Sequence, residues 1–477
     1  MQKKVLIVSF HFAPQNVIGA VRPTKLAKYL ARMGYDVTVF CGKGYTASRD
    51  PILARDLAEL TDVHTVRERS LFRWWRERGL TAATAPALVE RARLPEQGMS
   101  EEAMRTQAAI ADAQNRRTAQ PASPTAASKY RPTQPVKQAA PQAQGRLHRF
   151  LDKLYIWLAH QADNAFARAC VREAYALGQH YDIVLSTYGP LSSHTVARKL
   201  KQMKLADRWI ADFRDEATVP FAWQKQRLTR YLRNVRRHAD AITGVSLGFL
   251  QMMRLDAFGR VVSNGFDRED LRGLTPFSVE PDALTFAYCG QIHEGSSDLS
   301  PVFQALRALM DAGECQENRV RVHYAGKQGD VLARQAAAYG LRAVVVDHGM
   351  LSRADSLALQ QAVDVLLVAT WNTSARRGVM TGKLLEYLMA NKPILCCVSG
   401  ELKDSEVAQL LARTQAGIAW EQAHADRDTP RLLRYLRSIA AARFGGGTLL
   451  YLPDEAAVEA LDYRHIAREF AEIIDNV

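Results

Sequence analysis

The chain begins with a continuous apolar run, "KKVLIVSF" (3–10), then a glycine-containing stretch, "HFAPQNVIGA". Next comes "VRPTKLAKYLARMG", whose apolar positions recur at helical spacing. A second apolar run, "YDVTVFCG" (35–42), follows, and Gly34 stands where the helix should stop. These runs do not alternate polar with apolar, as expected of strands in a parallel sheet covered by helices on both faces. The unit returns in "YDIVLSTYG", "PLSSHTVARKLKQMK", "DRWIADFRD" and "ADAITGVS" (181–246). Strand and helix in alternation predict a doubly wound α/β domain.

A second series starts near Leu284 with "LTFAYCGQI", "LSPVFQALRALMDAG", "RVRVHYAG" and "QGDVLARQAAAYGL". It continues through "RAVVVDHGM", "SRADSLALQQA", "VDVLLVAT", "TGKLLEYLMANK" and "PILCCVS" (342–399). The fold class expected is therefore α/β, with two Rossmann-like doubly wound domains joined near "VVSNGFDRED" (261–270) and facing across a cleft. We place the first domain at 1–268 and the second at 269–456, with 457–477 a helix returning to the first domain.

The first domain carries an insert, about 66–165. Its middle, about 94–144, is rich in Ala, Gln, Pro, Ser and Thr and is expected to be disordered. Its flanks differ. "VRERSLFRWWRERGL" (66–80) mixes Leu71, Phe72, Trp74 and Trp75 with arginines, and Leu147, Phe150, Leu151, Leu154 and Leu158 follow helical spacing beside Arg146, Arg149 and Lys153. The second stretch alone fits a helix packed on the domain as well as one lying in an anionic membrane surface, but tryptophan and arginine on both flanks favour the membrane reading.

Composition narrows this picture only a little. Of 477 residues, 47% are hydrophobic and 24% charged, within the ordinary globular range. No apolar run reaches membrane-spanning length, and the N-terminal run is too short for a signal peptide, so a cytoplasmic location is expected. The six cysteines form no CxxC pair, which supports neither a disulfide framework nor a zinc site. The formal charge of +13 points to an anionic partner: nucleic acid, anionic lipid or a phosphorylated substrate. No nucleic-acid-binding module is legible, so that option ranks last.

Candidate chemistry gathers in three places. "RRGVMTGKLLEY" (376–387) contains a Gly-Lys pair, but a P-loop needs glycine where Arg377 stands and Ser or Thr where Leu384 stands. What remains is Gly382 and Lys383 at a helix start, where backbone N–H groups and an ammonium favour an anion. Glu386, one turn on, suits a pair of sugar hydroxyls; the plain alternative is a surface ion pair with Lys383. Gly19 is expected in the loop after the first strand, a phosphate-facing turn in many α/β sheets, though GxGxxG is absent. "ADFRDE" sets Asp212, Arg214 and Asp215 at the end of a strand facing the cleft, as a catalytic group or a salt-bridge cluster. His194 is a further titratable candidate, more often structural in such a position.

Taken in order, five segments resemble the GT-B fold retaining glycosyltransferases of glycosyltransferase family 4, of the bacterial surface-polysaccharide type. They are "LIVSFHFAPQNVIGAVRPTKLAKYL", "STYGPLSSHTVARKL", "WIADFRD", "VSNGFD" and "GKLLEYLMANKPIL". The resemblance implies that Gly19 lies beside donor phosphates and acceptor. It further implies that Lys383 holds the diphosphate, Glu386 the ribose, and the loop at Gly290 ("CGQIHEGSS") approaches the diphosphate. It implies no cofactor and no metal, a UDP- or GDP-linked sugar as donor, a lipid-linked saccharide acceptor, and peripheral attachment to the inner face of the cell membrane. Four positions depart from the family pattern: Gly378 stands where a glutamate is usual, Gln291 and His293 replace an Arg and Lys, and Arg214 replaces a histidine. A nucleotide-sugar epimerase and a non-catalytic sugar-nucleotide-binding partner are the competing readings.

Overall fold

The computed structural model describes residues 2–44, 48–71, 73, 146–215, 217, 225–445 and 451–477. The chain divides into two compact units, and most described residues belong to one: Met1–Arg69, Asp163–Thr218 and Gln226–Val477. The other holds most of the insert (Ser70–Ala162) and Val219–Lys225. The segment expected to be disordered, about 94–144, and the first flank from Trp74 to Leu80 lie outside the described residues.

The N-terminal domain contains β1 (Lys4–Ser9), α1 (Ile18–Arg32), β2 (Asp36–Gly42), α2 (Pro51–Leu57), β3 (Asp62–Val66), α3 (Arg146–Leu177), β4 (Tyr181–Thr187), α4 (Ser192–Gln202), β5 (Ala206–Phe213), α5 (Lys225–His238), β6 (Ala241–Gly244), α6 (Leu247–Met252) and β7 (Gly259–Val261). Its seven strands are all parallel, in the order β3-β2-β1-β4-β5-β6-β7. β1 shows why its apolar run is continuous. Val5 and Ile7 enter one core with Leu26 and Leu30 of α1, while Leu6 and Val8 enter the other with Phe166 of α3 and Val196 of α4.

The C-terminal domain repeats the plan with β8 (Leu284–Cys289), α7 (Ser300–Asp311), β9 (Val320–Ala325), α8 (Gly329–Ala337), β10 (Val345–Asp347), α9 (Arg353–Ala362), β11 (Val365–Trp371), α10 (Gly382–Met389), β12 (Ile394–Ser399), α11 (Glu406–Thr414), β13 (Gly417–Glu421) and α12 (Ala425–Phe444). Its six parallel strands run β10-β9-β8-β11-β12-β13. After α13 (Glu455–Glu459), α14 (Tyr463–Asn476) packs against α1, burying Ile466, Phe470 and Ile474 in the first domain's core. In both sheets the strand order reverses beside the first strand, between β1 and β4 and between β8 and β11. Ligands bind at such switch points in open α/β sheets. The expected pair of doubly wound domains is what the chain forms.

α1 departs most from its sequence pattern. Arg22, Lys25 and Lys28, spaced three apart, would ordinarily face solvent, yet they are 2%, 0% and 1% exposed. The Lys25 ammonium lies among three carboxylates: Asp56 of α2 at 2.5 Å, Asp267 at 2.7 Å, and Asp270. Lys28 reaches Asp56 at 2.8 Å and Asp267 at 2.9 Å. Burial penalises the Lys25 charge, but Asp270, Asp267 and Asp56 outweigh it and raise its pKa. Asp56, Asp267 and Asp270 have the spacing of a metal site, and Lys25 fills that position with an ammonium. The pairing ties α1 to the segment that passes into the second domain.

Candidate active site

A cavity of about 260 Å³ opens at the switch points, walled by both domains. Gly19, Arg214 and Asp215 line it from the first domain, Gly382 and Glu386 from the second. Arg22 and Arg353 lie in its walls as well, both unforeseen in the sequence.

Asp212 needs a correction. It sits at the end of β5, as expected, but it is wholly buried and its oxygens are taken. Arg22 donates to both of them at 2.9 and 2.8 Å, Thr187 donates to Oδ2 at 2.5 Å and Thr243 to Oδ1 at 2.8 Å. Burial would raise its pKa, but Arg22 and the two hydroxyls more than compensate and hold it below the usual carboxylate range. A carboxylate so engaged has no lone pair left for substrate. Its work is to hold Arg22, whose remaining donors reach the carbonyls of Val262 and Ser263 and the Asn264 side chain.

Arg214 is therefore not clasped by two carboxylates. Its Nε and Nη2 donate to the carbonyls of Tyr188 and Gly189, each at 2.7 Å. Gly19 is the second correction: it belongs to the first turn of α1, not to the preceding loop. A Cβ there would come within 2.0 Å of Arg214 Nη1. The glycine makes room for a guanidinium as well as for ligand. Asp215, next along the chain, is exposed at the cavity's edge.

On the other wall, Thr381 caps α10, and Lys383 follows in its first turn. Lys383 does not itself line the cavity. Its ammonium donates to Tyr288 Oη at 2.7 Å and to the Gln291 carbonyl at 2.6 Å, and lies 4.2 Å from the Tyr288 ring centre. Gly290, with φ +115°, leaves the space its aliphatic chain uses; a Cβ would meet Cε at 2.7 Å. Among the described residues no carboxylate pairs with Lys383, and burial lowers its pKa to about 7. The surface ion pair with Glu386 does not form. Glu386 instead accepts from Gln360 at 2.8 Å and stands 3.8 Å from Arg353. Arg353, at the start of α9, also donates to Asp50 at 2.9 Å and Asp270 at 2.8 Å, linking both domains to Glu386.

Two further candidates resolve. Gly378 (φ +66°) packs on the first domain: its carbonyl accepts from Ser246, and a Cβ would touch the Gly248 backbone at 2.8 Å. It serves the approach of one domain to the other. His194 lies away from the cavity. It is buried on Ser186 at 2.8 Å, and burial depresses its pKa to about 3, so it stays neutral. The arginines 22 and 353 were missed because a cation on a helix reads as solvent-facing; "DRED" in the linker was the available sign of buried partners.

No protein-family model and no curated protein sequence matches the chain. Solved structures do. HepE from Anabaena, in complex with UDP-glucose, is 11% identical over 99% of this chain and 100% of that one, with a TM-score of 0.53. Sucrose-phosphate synthase from Thermosynechococcus elongatus is 12% identical over 100% and 99%, with a TM-score of 0.56. An alpha,alpha-trehalose-phosphate synthase (UDP-forming) from Burkholderia vietnamiensis is 12% identical over 100% of both chains, at 0.54. At such identities the likeness is one of architecture. Both sheets, their strand order and these neighbours define the fold as GT-B, two Rossmann-like domains with a cavity between them.

Proposed function

We propose that the protein is a glycosyltransferase taking a sugar from a nucleotide-sugar donor. The observation that carries this reading is Lys383: a half-buried ammonium with no carboxylate partner among the described residues, at a helix start, in a chain that pairs most of its other buried cations. Such a group suits a diphosphate. Glu386, on the cavity wall, would take the ribose hydroxyls, and Gly290 lets the loop after β8 come close. That neighbours of this fold include proteins named for UDP-sugar chemistry supports the same donor class.

The finer reading is retention of configuration, with the leaving diphosphate stabilised by Lys383, first-turn N–H groups of α10 and Arg214 across the cavity. A well-placed donor to developing charge contributes ~3 kcal/mol. Asp215, beside Arg214, would orient the acceptor hydroxyl, and no metal is required. The acceptor we propose is a lipid-linked or glycan saccharide in bacterial exopolysaccharide, capsule or O-antigen assembly, with the protein peripheral to the membrane. Thermal-shift screening against UDP, GDP and their sugars should give a donor-specific rise by mass action, followed by radiolabelled transfer. No rise with any nucleotide would overturn the reading. Gly378, packed on Gly248 where a donor-contacting glutamate is usual, favours one alternative, a sugar-nucleotide-binding partner without activity. Binding without transfer or donor hydrolysis would select it.

A further inference from the structure

α5 carries Arg227, Arg230, Arg233, Arg236 and Arg237 and no acidic residue. All five arginines are exposed. Leu228, Tyr231, Leu232 and Val235 turn the opposite face onto the core. At helical periodicity Arg230, Arg233 and Arg237 form one outward stripe, with Arg227 and Arg236 on its flanks.

Among the described residues none of the five makes an ion pair; Asp163 acts on Arg227 through its field, and Arg236 lies over the ring of Phe258 at 4.8 Å. Arg198 of α4 lines a small cavity with Tyr231 and Asn234. Some exposed arginines elsewhere, such as Arg32, Arg260, Arg334 and Arg437, do find carboxylates. Five exposed guanidiniums on one short helix, none neutralised by a carboxylate among the described residues, repel one another unless an external polyanion compensates them.

We propose that this face of α5 docks the protein on an anionic lipid bilayer. The charge is the complement of a phosphodiester headgroup layer, and guanidinium binds phosphate oxygens two at a time. The face is convex and about 21 Å long, from 14 residues at helical rise, so it meets a plane and offers no groove to a nucleic-acid strand. The exposed Phe258 ring beside it is already covered by Arg236 and gives bases nothing to stack on. The helix's apolar side is spent on the core, so attachment is electrostatic, without insertion. It differs in this from the insert flanks, whose tryptophans fit partial burial in lipid. The docking surface stands on the charges alone. Its purpose, to hold the cavity near a membrane-borne acceptor, rests on the proposed function.

The test is flotation of the full chain with vesicles of pure phosphatidylcholine and of phosphatidylcholine with 30% phosphatidylglycerol (about the anionic load of a charged leaflet). Wild type should bind only the anionic vesicles, at low salt and far less in high salt. Arg230→Glu/Arg233→Glu/Arg237→Glu should lose at least tenfold in binding, and the matching triple Lys variant should keep most of it. Nucleotide binding and the melting temperature, measured beside it, should not move in either variant. Unchanged flotation of the Glu variant, equal binding to neutral vesicles, or preference for duplex or single-stranded nucleic acid over vesicles would each overturn the proposal. Loss of nucleotide binding in wild type, with flotation intact, would sink the enzyme reading and leave this surface standing.

Discussion

Gly19 and Arg214 share one space: a β-carbon on the glycine would lie 2.0 Å from Nη1 of the arginine. The guanidinium cannot retreat, because the Tyr188 and Gly189 carbonyls hold it from behind. Gly19→Ala should therefore leave α1 intact, alanine being the better helix former, and displace Arg214. We expect Gly19→Ala and Arg214→Ala each to slow nucleoside-diphosphate release from the nucleotide sugar about tenfold, ~1.4 kcal/mol. The double variant should be no slower than either single one, since both remove the same contact. Additive losses would show that the glycine faces ligand independently.

Arg22 and Asp212 are the reverse case, a pair fully spent on the fold. Removing one partner strands the other charge in a dry site, at a cost of ~3–5 kcal/mol. Arg22→Met should lower the unfolding free energy read from urea denaturation by that amount, and Asp212→Ala similarly. Asp215→Asn, exposed at the cavity edge, should leave the midpoint unchanged and slow transfer. If Asp212→Asn kept full stability yet abolished turnover, a direct catalytic role for Asp212 would return.

How much of this was legible differs by kind of interaction. The sheets were readable because β1, β8 and β11 are apolar on both faces, a signal internal to each strand. β7, three residues long, carries too little pattern to be found, whereas the equally short β10 showed in the apolar run of "RAVVVDHGM". The glycines announced close approach without saying to what: Gly290 to Lys383, Gly378 to Gly248 and Ser246. Arg22 and Lys25 could not be recognised as buried, since apart from Asp56 their partners lie roughly 190 to 245 residues away and only folding brings them together. Charge pairing over such distances has no local period, so helical spacing misassigned it to solvent.

Lys25 sits where three carboxylate oxygens within 4.8 Å of one another could have bound a cation. Lys25→Ala removes the built-in charge and leaves Asp56, Asp267 and Asp270 repelling one another. The fold should lose ~3–5 kcal/mol, as when a buried pair is broken. Calcium, which takes several carboxylate oxygens in flexible geometry, should restore part of that in the variant. Melting curves with and without millimolar calcium would show a rise for Lys25→Ala and none for wild type. An equal response in both would mean the ammonium is not standing in for a metal.

Lys383 makes nucleotide-sugar binding depend on pH in a direction that can be worked out. Burial without a carboxylate lowers its pKa from 10.5 to about 7, so the free protein bears the full cost of the charge below pH 7 and sheds it above. A bound diphosphate favours the ammonium and raises the pKa again. Below pH 7 binding exchanges no proton at this site. Above it, binding must draw a proton from solvent, so uptake should approach one per ligand, and affinity should fall by up to tenfold per pH unit. A nucleotide sugar is the right probe, because its diphosphate has no group titrating in this range. Calorimetry at pH 6.5 and 8.5, in buffers of different ionisation enthalpy, measures the uptake directly. Lys383→Met should bind at least tenfold more weakly at pH 6.5 and show a flat profile. Lys383→Arg should be flat as well, but at higher affinity, since a guanidinium keeps its charge throughout. Should the methionine variant retain the wild-type pH dependence, the proton belongs to another group and the diphosphate does not contact this lysine.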